Sequence, residues 1–389
     1  MRFLCVSIIC LLILPSCTKR ANVNSILIEV NKDEKEEPEP VIDPLRTRAF
    51  EIASALDNRL LAAQLLISGI DGRESLQPHI KNLFTDHPPG GVMLFSYNLS
   101  TDNDSIRNHL SQVSTLIRDK SGIPPFIAVD HEGGVVYRFQ GGVAALPPAS
   151  SYWETFLSHG KERALEKITD DVLTAGREIN KLGINMNFAP VAEYLTDDNR
   201  VFLESRSYGP EPSFTAEASA AFIRAMEQAG VLCAVKHFPS SSGPDPHYSP
   251  SVINGNKAEL DRLIFPFAYV FNNGARAVMV AHSSIPAMDD KIASLSPVVM
   301  GNWLRLELGF EGIIISDDFF MASAGSASPE EAAILSIAAG ADMVLVWQAD
   351  LARTHAAFIS ALDEGRLSRE RCVDAVSRII YEKLRMGLM

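Results

Sequence analysis

The sequence has few cysteines, and their positions exclude several classes of protein. Three of its 5 cysteines, Cys5, Cys10 and Cys17, lie within the first 17 residues. The other two, Cys233 and Cys372, are far apart, lie in apolar or helical patterns and have no metal-ligand spacing to a second Cys or His. We therefore expect neither a disulfide framework nor a metal site, and we interpret both thiols as small buried side chains.

Basic residues are also scarce. The chain has 35 Lys and Arg against 48 Asp and Glu, which gives a formal net charge of −13. Part of this excess lies in the acidic stretch 33–39, and no block of Lys and Arg could neutralise a row of phosphates. Nucleic acid is therefore not an expected partner.

The N-terminal apolar run is too short to span a bilayer comfortably. One Arg precedes it and Leu14-Pro15-Ser16-Cys17 ends it, a pattern that resembles a bacterial lipobox. We predict a signal peptide over 1–16 and lipidation of Cys17, with an ordinary cleaved signal or a buried cysteine as the alternatives. This predicts an extracytoplasmic protein of the bacterial cell envelope, bound to the membrane through its lipid anchor.

The rest of the chain divides simply. Residues 17–45 combine the lipidated Cys with a charged, Pro-containing segment that has few large apolar groups, which is typical of a disordered tether. No similar linker and no repeat of fixed period follows. We predict one catalytic domain over 46–389, and we expect a monomer.

Within that domain, short apolar runs alternate with longer amphipathic segments, as in parallel sheets with helical crossovers. Helices are predicted over 105–119, 168–182, 213–229, 257–272, 297–308 and 329–339. The predicted strands are Gln64–Ser68, Gly91–Phe95, Phe126–Val129, Asn185–Phe188, Val231–Val235, Ala277–Val280, Gly312–Ile315 and Asp342–Val346. Eight strands predict an α/β (β/α)₈ TIM barrel. The alternative, an open doubly wound sheet, would need a phosphate-binding glycine turn after its first strand, and none is present in that context.

Polar and aromatic residues follow several of these strands directly, namely Asp130, Lys236, His237, His282, Asp317 and Trp347. The carboxyl ends of barrel strands form one catalytic face, so we expect these side chains to converge on a single pocket.

Asp317 is the first carboxylate after an apolar strand. Glycosidic cleavage needs a carboxylate beside the anomeric carbon, because the transition state resembles an oxocarbenium ion. Asp317 is therefore our candidate nucleophile, although Asp317 or Asp318 could instead cap the following segment.

A second candidate group lies in the Ser-, Gly- and Pro-rich loop after the Val231–Val235 strand. Asp245 is close enough in sequence to hold one imidazole nitrogen of His247 while the other nitrogen faces a leaving group. The alternative for His247 is an exposed loop histidine. Lys236 and His237, at the predicted strand end, are better suited to hydrogen bonding with sugar hydroxyls.

Seven stretches in order resemble glycoside hydrolase family 3, in its single-domain β-N-acetylglucosaminidase branch. They span nearly the whole domain: AVDHEGG at 128–134, GINMNFAPV at 183–191, RSYG at 206–209, KHFP at 236–239, DPH at 245–247, AH at 281–282 and SDD at 316–318. Each motif alone is weak, but the ordered set is specific.

The resemblance implies a retaining mechanism in which Asp317 attacks the anomeric carbon and His247, oriented by Asp245, protonates the leaving oxygen. It also implies a hydrophobic slot for an N-acetyl group and no metal or organic cofactor. Family members bind the non-reducing sugar with the residues that match Asp130, Arg206, Lys236 and His237, and we add Arg138 and His282 to this substrate-binding set. A surface ion pair is the alternative role for Arg206.

The chain departs from the family pattern at two places. Ser240-Ser241-Ser242 replaces the usual Gly-His-Gly, and the segment between it and the Asp245/His247 pair is shorter than in the family. At the second place, Val135 stands where the family has Arg, while Arg138 is retained three positions further on.

We predict an exo-β-N-acetylglucosaminidase that acts on β-GlcNAc-containing oligosaccharides, such as muropeptides from cell-wall fragments. Phosphorolysis beside hydrolysis remains open. One alternative is a relative that prefers β-glucosides. The Asp245/His247 pair argues against this alternative. Another is a lipid-anchored sugar-binding protein that has lost turnover through its altered loop.

Overall fold

A computed structural model of the chain describes residues 43–319 and 328–389. The predicted signal peptide, Cys17 and the tether up to residue 42 lie outside the described residues. The first described helix begins at Pro44, slightly before the predicted start of the domain, and the Asp43 side chain caps it by accepting from the N–H of Leu45. Among the described helices, none combines the length and apolar character needed to cross a bilayer.

The described part of the chain contains ten strands, eight of which form one parallel sheet in the order β10-β1-β2-β3-β6-β7-β8-β9. A parallel bridge between Ile315 and Met343 joins its two ends, so the sheet closes into the predicted (β/α)₈ barrel. The strands are β1 Leu66–Gly69, β2 Gly91–Leu94, β3 Phe126–Val129, β4 His131–Gly133, β5 Val136–Tyr137, β6 Met186–Asn187, β7 Leu232–Phe238, β8 Ala277–Val280, β9 Ile313–Ser316 and β10 Val344–Val346. β4 and β5 form a separate antiparallel hairpin after β3.

Helices flank the barrel. They are α1 Pro44–Ala55, α2 Asn58–Gln64, α3 Pro78–Asp86, α4 Asn103–Ser121, α5 Ala149–His159, α6 Lys161–Lys181, α7 Arg200–Leu203, α8 Pro212–Gln228, α9 Lys257–Leu263, α10 Phe265–Asn272, α11 Pro329–Ala339, α12 Leu351–Asp363 and α13 Arg369–Arg385, with a π-helix at Val298–Glu307. Helix α4 shows the local reasons for these boundaries, because the Asp102 side chain accepts from the N–H groups of Asp104 and Ser105 at its start, and Gly122 ends it at φ 74°.

Some predicted element boundaries were wrong. Gln64 belongs to α2 and not to the first strand, because the Asp57 side chain caps a helix that runs directly into β1. The single helix predicted over 257–272 is two helices, and Pro266 lies in the first turn of the second, where its missing N–H costs nothing. The helical segment predicted over 297–308 is confirmed, and it is a π-helix over Val298–Glu307.

Helix α13 places a lysine beside the residues that precede strands β1 and β2. Lys383 on α13 is fully buried, and its ammonium donates to Gln64 Oε1 at 3.0 Å and to the carbonyl of Gly90 at 2.9 Å, the residue before β2. Burial lowers the pKa of Lys383 to about 7. Tyr381, on the same helix, donates to Asp43 Oδ2 at 2.8 Å, so the first and last helices are bonded together. Cys233 and Cys372 are buried and unpaired, as predicted.

Candidate active site

A cavity of about 290 Å³ opens at the carboxyl ends of the barrel strands and brings most of the predicted site residues together. Asp245 is not among its lining residues. The predicted residues that line it are Asp130, Arg138, Arg206, Lys236, His237, His247, His282 and Asp317. The convergence expected from the strand ends is therefore observed.

Asp317 is held at the mouth of the barrel by its own backbone. β9 ends at Ser316, and the N–H of Asp317 donates to the carbonyl of Val280 on β8 at 3.0 Å, which continues the sheet by one residue. Asp317 Oδ1 accepts from the N–H of Asp318 at 2.8 Å. A carboxylate fixed in this way at a strand end can be presented to a sugar ring in the cavity.

The hairpin after β3 delivers two carboxylates and a cation to the site. Gly133 has φ 101°, and a Cβ at this position would lie 2.3 Å from the carbonyl oxygen of Pro147, so only glycine permits the turn. The turn directs Glu132 inward and brings Arg138 to Asp130, with 3.1 Å between Arg138 Nη2 and Asp130 Oδ2. Val135, which replaces the family's Arg, is 72% exposed, and Arg138 provides the cation beside Asp130.

Lys236 connects the two carboxylates. Its Nζ lies 2.7 Å from Asp130 Oδ1 and 2.6 Å from Glu132 Oε1, and Lys236 is 4% exposed. Arg206 binds Glu132 with two nearly parallel bonds of 2.8 and 2.9 Å, so Arg206 belongs to a largely buried network and not to a surface ion pair.

These contacts decide the charge states of the network. Burial by itself raises the pKa of Glu132, but the nearby charges of Lys236 and Arg206 outweigh it and hold the pKa well below its ordinary value. Burial by itself lowers the pKa of Lys236, but the charges of Asp130 and Glu132 outweigh it and hold the pKa above its ordinary value. Glu132 and Lys236 therefore stay charged at neutral pH, and the cavity has fixed hydrogen-bond donors and acceptors on this wall.

Lys236 and His237 were predicted to follow a strand, but they lie within it. β7 continues to Phe238 with a register shift against β8 between Val235 and Phe238. At this irregularity the N–H group of His237 donates to the Glu193 side chain, with 3.2 Å between His237 N and Glu193 Oε1.

Glu193 is a functional-site candidate that the sequence interpretation missed. It is 1% exposed, and its Oε1 also accepts from His237 Nδ1 at 2.6 Å. Its Oε2 accepts from the Ser240 hydroxyl at 3.0 Å and from the N–H of Ser241 at 2.6 Å. Burial raises the pKa of Glu193, yet the bonds from His237 and Ser241 bring it below its ordinary value. Through Glu193, the serines that replace Gly-His-Gly thus connect the start of the loop that carries Asp245 and His247 to His237, which lines the cavity.

Glu193→Gln should weaken both the fold and substrate binding. The amide nitrogen of Gln would face two donors in place of an acceptor oxygen, and a buried donor left unsatisfied costs about 1–3 kcal/mol. We expect the free energy of unfolding in urea to fall by that amount and KM to rise. Ser240→Ala, which removes one of the four bonds, is the matched control, and a Gln variant as stable as the control would contradict the anchoring role of Glu193.

The loop histidine is paired as the sequence spacing suggested. His247 Nδ1 lies 2.6 Å from Asp245 Oδ1, and the same oxygen accepts from the N–H of His247 at 2.9 Å. The side chains are 58% and 43% exposed, so the pair sits at the open side of the cavity. Burial raises the pKa of Asp245, but the bonds from His247 lower it below its ordinary value. Because Asp245 accepts from Nδ1, Nε2 is the nitrogen available for proton transfer.

His282 lines the cavity with both ring nitrogens already in use. Nδ1 lies 2.6 Å from Ser294 Oγ and Nε2 lies 2.9 Å from the carbonyl of Asp318, while the ring stacks on Phe319. Burial lowers the pKa of His282. The direct substrate contact predicted for His282 stays a prediction. Its hydrogen bond to the carbonyl of Asp318 also fixes the backbone next to Asp317.

Comparison with known proteins gives the family. Residues 59–381 match the sequence profile described as the glycosyl hydrolase family 3 N terminal domain. The chain belongs to glycoside hydrolase family 3. It is 33% identical over 305 residues to a beta-hexosaminidase of Hydrogenovibrio crunogenus, covering 77% of this chain and 83% of that protein. This family 3 chain is therefore a glycoside hydrolase.

Solved structures agree with the barrel. A family 3 β-N-acetylglucosaminidase from a Paenibacillus species superposes with a TM-score of 0.80 at 28% identity. The superposition covers 86% of this chain and 63% of the Paenibacillus chain. A β-N-acetylhexosaminidase from Beutenbergia cavernae superposes with a TM-score of 0.75 at 25% identity, covering 85% of this chain and 99% of that one. In the part of the family 3 chain that the structure describes, no three His, Cys, Asp or Glu side chains are grouped to hold a metal.

Proposed function

We propose that this protein is a retaining exo-β-N-acetylglucosaminidase that releases terminal β-linked GlcNAc from oligosaccharides such as cell-wall muropeptides. The observation that carries the proposal is that Asp317 and His247, which belong to two separate sequence motifs, line one cavity with the buried charge network. The names of the related hexosaminidases support the choice of N-acetylhexosamine as the sugar.

The proposed reaction has two halves. In the first, the Asp317 carboxylate bonds to the anomeric carbon as the bond to the leaving oxygen breaks, and protonated His247 gives its Nε2 proton to that oxygen. In the second, His247 takes a proton from water, the water oxygen bonds to the anomeric carbon, and Asp317 leaves as a carboxylate. Two inversions retain the configuration of the sugar. Asp245 stabilises the charged imidazole in the first half and orients it in the second.

His247→Ala should affect substrates according to their leaving groups. General acid catalysis contributes about 10²–10⁴-fold, and an activated aryloxide leaves without protonation. We expect kcat/KM for a GlcNAc disaccharide to fall within that range and the first step on a dinitrophenyl glycoside to change much less. Tyr248→Ala is the control, since Tyr248 is adjacent and 83% exposed. Equal loss on both substrates would mean that His247 only positions the sugar.

The sugar itself is tested with nitrophenyl glycosides of GlcNAc, GalNAc and glucose, assayed with and without inorganic phosphate. Preferential release from the GlcNAc derivative supports the proposal, and sugar phosphate as product would reveal phosphorolysis. Preference for the glucoside would favour the β-glucosidase alternative. Binding of GlcNAc without any release would favour the sugar-binding alternative.

We also propose that the protein is held at the cell envelope through lipidated Cys17, on the residue pattern of 1–17. Membrane fractionation of cells expressing the natural chain and Cys17→Ser tests this location. Release of the variant from the membrane fraction is expected, and equal retention of both would contradict the anchor.

A further inference from the structure

Three aromatic rings form a continuous stack at one side of the cavity. The ring planes of Phe95 and Trp347 are 8° apart with centroids at 5.1 Å, and those of Phe95 and Tyr97 are 8° apart with centroids at 5.6 Å. We call these three residues the aromatic stack. Tyr97 is 48% exposed, so the stack ends at the protein surface.

The inner end of the aromatic stack lies beside the reaction centre. Phe95 and Trp347 both line the cavity, and Trp347 Nε1 donates to Asp318 Oδ2 at 2.9 Å, next to the candidate nucleophile. Phe95 follows β2 and Trp347 follows β10, the two neighbours of β1 in the barrel. The charge network, in contrast, comes from the hairpin after β3 and from Lys236 within β7. The cavity therefore has one charged wall and one aromatic wall that leads outward.

Polar groups border the aromatic stack. Gln348, the residue after Trp347, donates to Asp71 Oδ1 at 2.7 Å. Burial raises the pKa of Tyr97, and the negative charge of Asp71 raises it further. Gln140 accepts from Arg73 at 2.5 Å and reaches the carbonyl of Ser96 at 3.5 Å. Flat rings edged by amide and carboxylate groups fit a ligand with apolar faces and polar edges.

We propose that the aromatic stack binds a pyranose ring of the leaving oligosaccharide, beyond the sugar held by the charge network. A pyranose has C–H groups on its face and hydroxyls at its edge, so it can cover a ring and reach the bordering polar groups at once. The substrate class is then a β-linked oligosaccharide with sugar units on the leaving side. This inference rests on the proposed function, because it assigns the leaving side of the same cavity.

The test is a specificity ratio. The kcat/KM for a β-linked GlcNAc trisaccharide is divided by that for β-GlcNAc fluoride, which has no sugar on the leaving side. Contacts of an aromatic ring contribute about 0.5–1.5 kcal/mol beyond area burial, so Tyr97→Ala should lower this ratio about 2- to 12-fold. Tyr97→Phe keeps the ring and should keep the ratio. An unchanged ratio in Tyr97→Ala would overturn the inference.

Two further outcomes are informative. If Tyr97→Ala lowers kcat/KM for a nitrophenyl glycoside but not for the trisaccharide, the stack recognises an aromatic aglycone and the sugar assignment is wrong. If the natural protein cleaves neither substrate, the proposed function fails, and calorimetric titration with the trisaccharide still tests the stack. In that case Kd should rise about 2- to 12-fold in Tyr97→Ala, and an equal Kd would overturn the inference on its own.

Discussion

Asp317→Asn should abolish turnover while leaving the fold and sugar binding intact. The amide is nearly isosteric and can still accept from the N–H of Asp318, but it cannot form the glycosyl ester. Loss of a nucleophile in other hydrolases lowers kcat by about 10⁶-fold, and we expect a fall of at least about 10³-fold here. Steady-state assay of a nitrophenyl GlcNAc glycoside, with calorimetric titration of GlcNAc, measures the two effects separately.

A smaller variant turns this loss into a positive result. Asp317→Gly opens space for azide, and we expect added azide to restore cleavage of an activated aryl glycoside and to give the α-glycosyl azide, because a single displacement inverts the anomeric centre. Asp261→Asn, on the exposed face of α9, is the control that should keep full activity. Substantial activity in purified Asp317→Asn without azide would remove Asp317 from the role of nucleophile.

Lys236→Met should be the most destabilising change in the site. It removes the cation between Asp130 and Glu132 and leaves two buried carboxylates with one arginine each. Removal of one partner from a buried ion pair costs about 3–5 kcal/mol. We expect the free energy of unfolding at pH 7 to fall by that amount and kcat/KM to fall with it. Lys257→Met removes an exposed pair with Asp261 and should cost less than about 1 kcal/mol.

The effect of Lys236→Met should depend on pH in one direction. The folded-state pKa values of Asp130 and Glu132 lie below their ordinary values, so the stability that they contribute is present above about pH 4 and is lost as the pH falls through the folded values. The difference between natural and variant protein should therefore shrink on acidification. A difference that stays constant or grows at low pH would mean that packing of the Lys236 stem, and not its charge, stabilises the site.

The barrel was predictable because its strands are short apolar runs of near-uniform burial. β3, β9 and β10 consist wholly of apolar residues apart from Ser316, and each is followed by a polar or aromatic residue at the catalytic face. Periodicity could not locate the end of β7, because the strand continues through Lys236 and His237, whose side chains are satisfied by buried carboxylates distant in sequence. The hydrogen bonds that permit charged residues inside a strand are not visible in its own sequence.

The site was predictable where it coincided with strand ends or with a short spacing. Asp317 is the first residue after β9, and Asp245 and His247 are two positions apart. Glu193 follows a bridge between Val191 and Lys236 and not a regular strand, so the strand-end signal was absent. Glu132 belongs to the motif at 128–134, but its ion pair with Arg206 joins residues 74 positions apart, which that motif does not reveal. The parallel rings of Phe95 and Trp347 depend in the same way on closure of the barrel.

Closure of the barrel also makes the two walls of the cavity depend on strand pairings of very different sequence separation. The charged wall comes from the hairpin after β3 and from Lys236 within β7, and β6 pairs with both of these strands. The aromatic wall requires Leu66 on β1 to pair with Val344 on β10, a far more distant position in the sequence. Contacts between such distant positions form slowly. A chain that ends before residue 344 lacks both Trp347 and the strand that pairs with β1, so its aromatic wall would be incomplete and the edge of β1 would stay open to pairing with another chain.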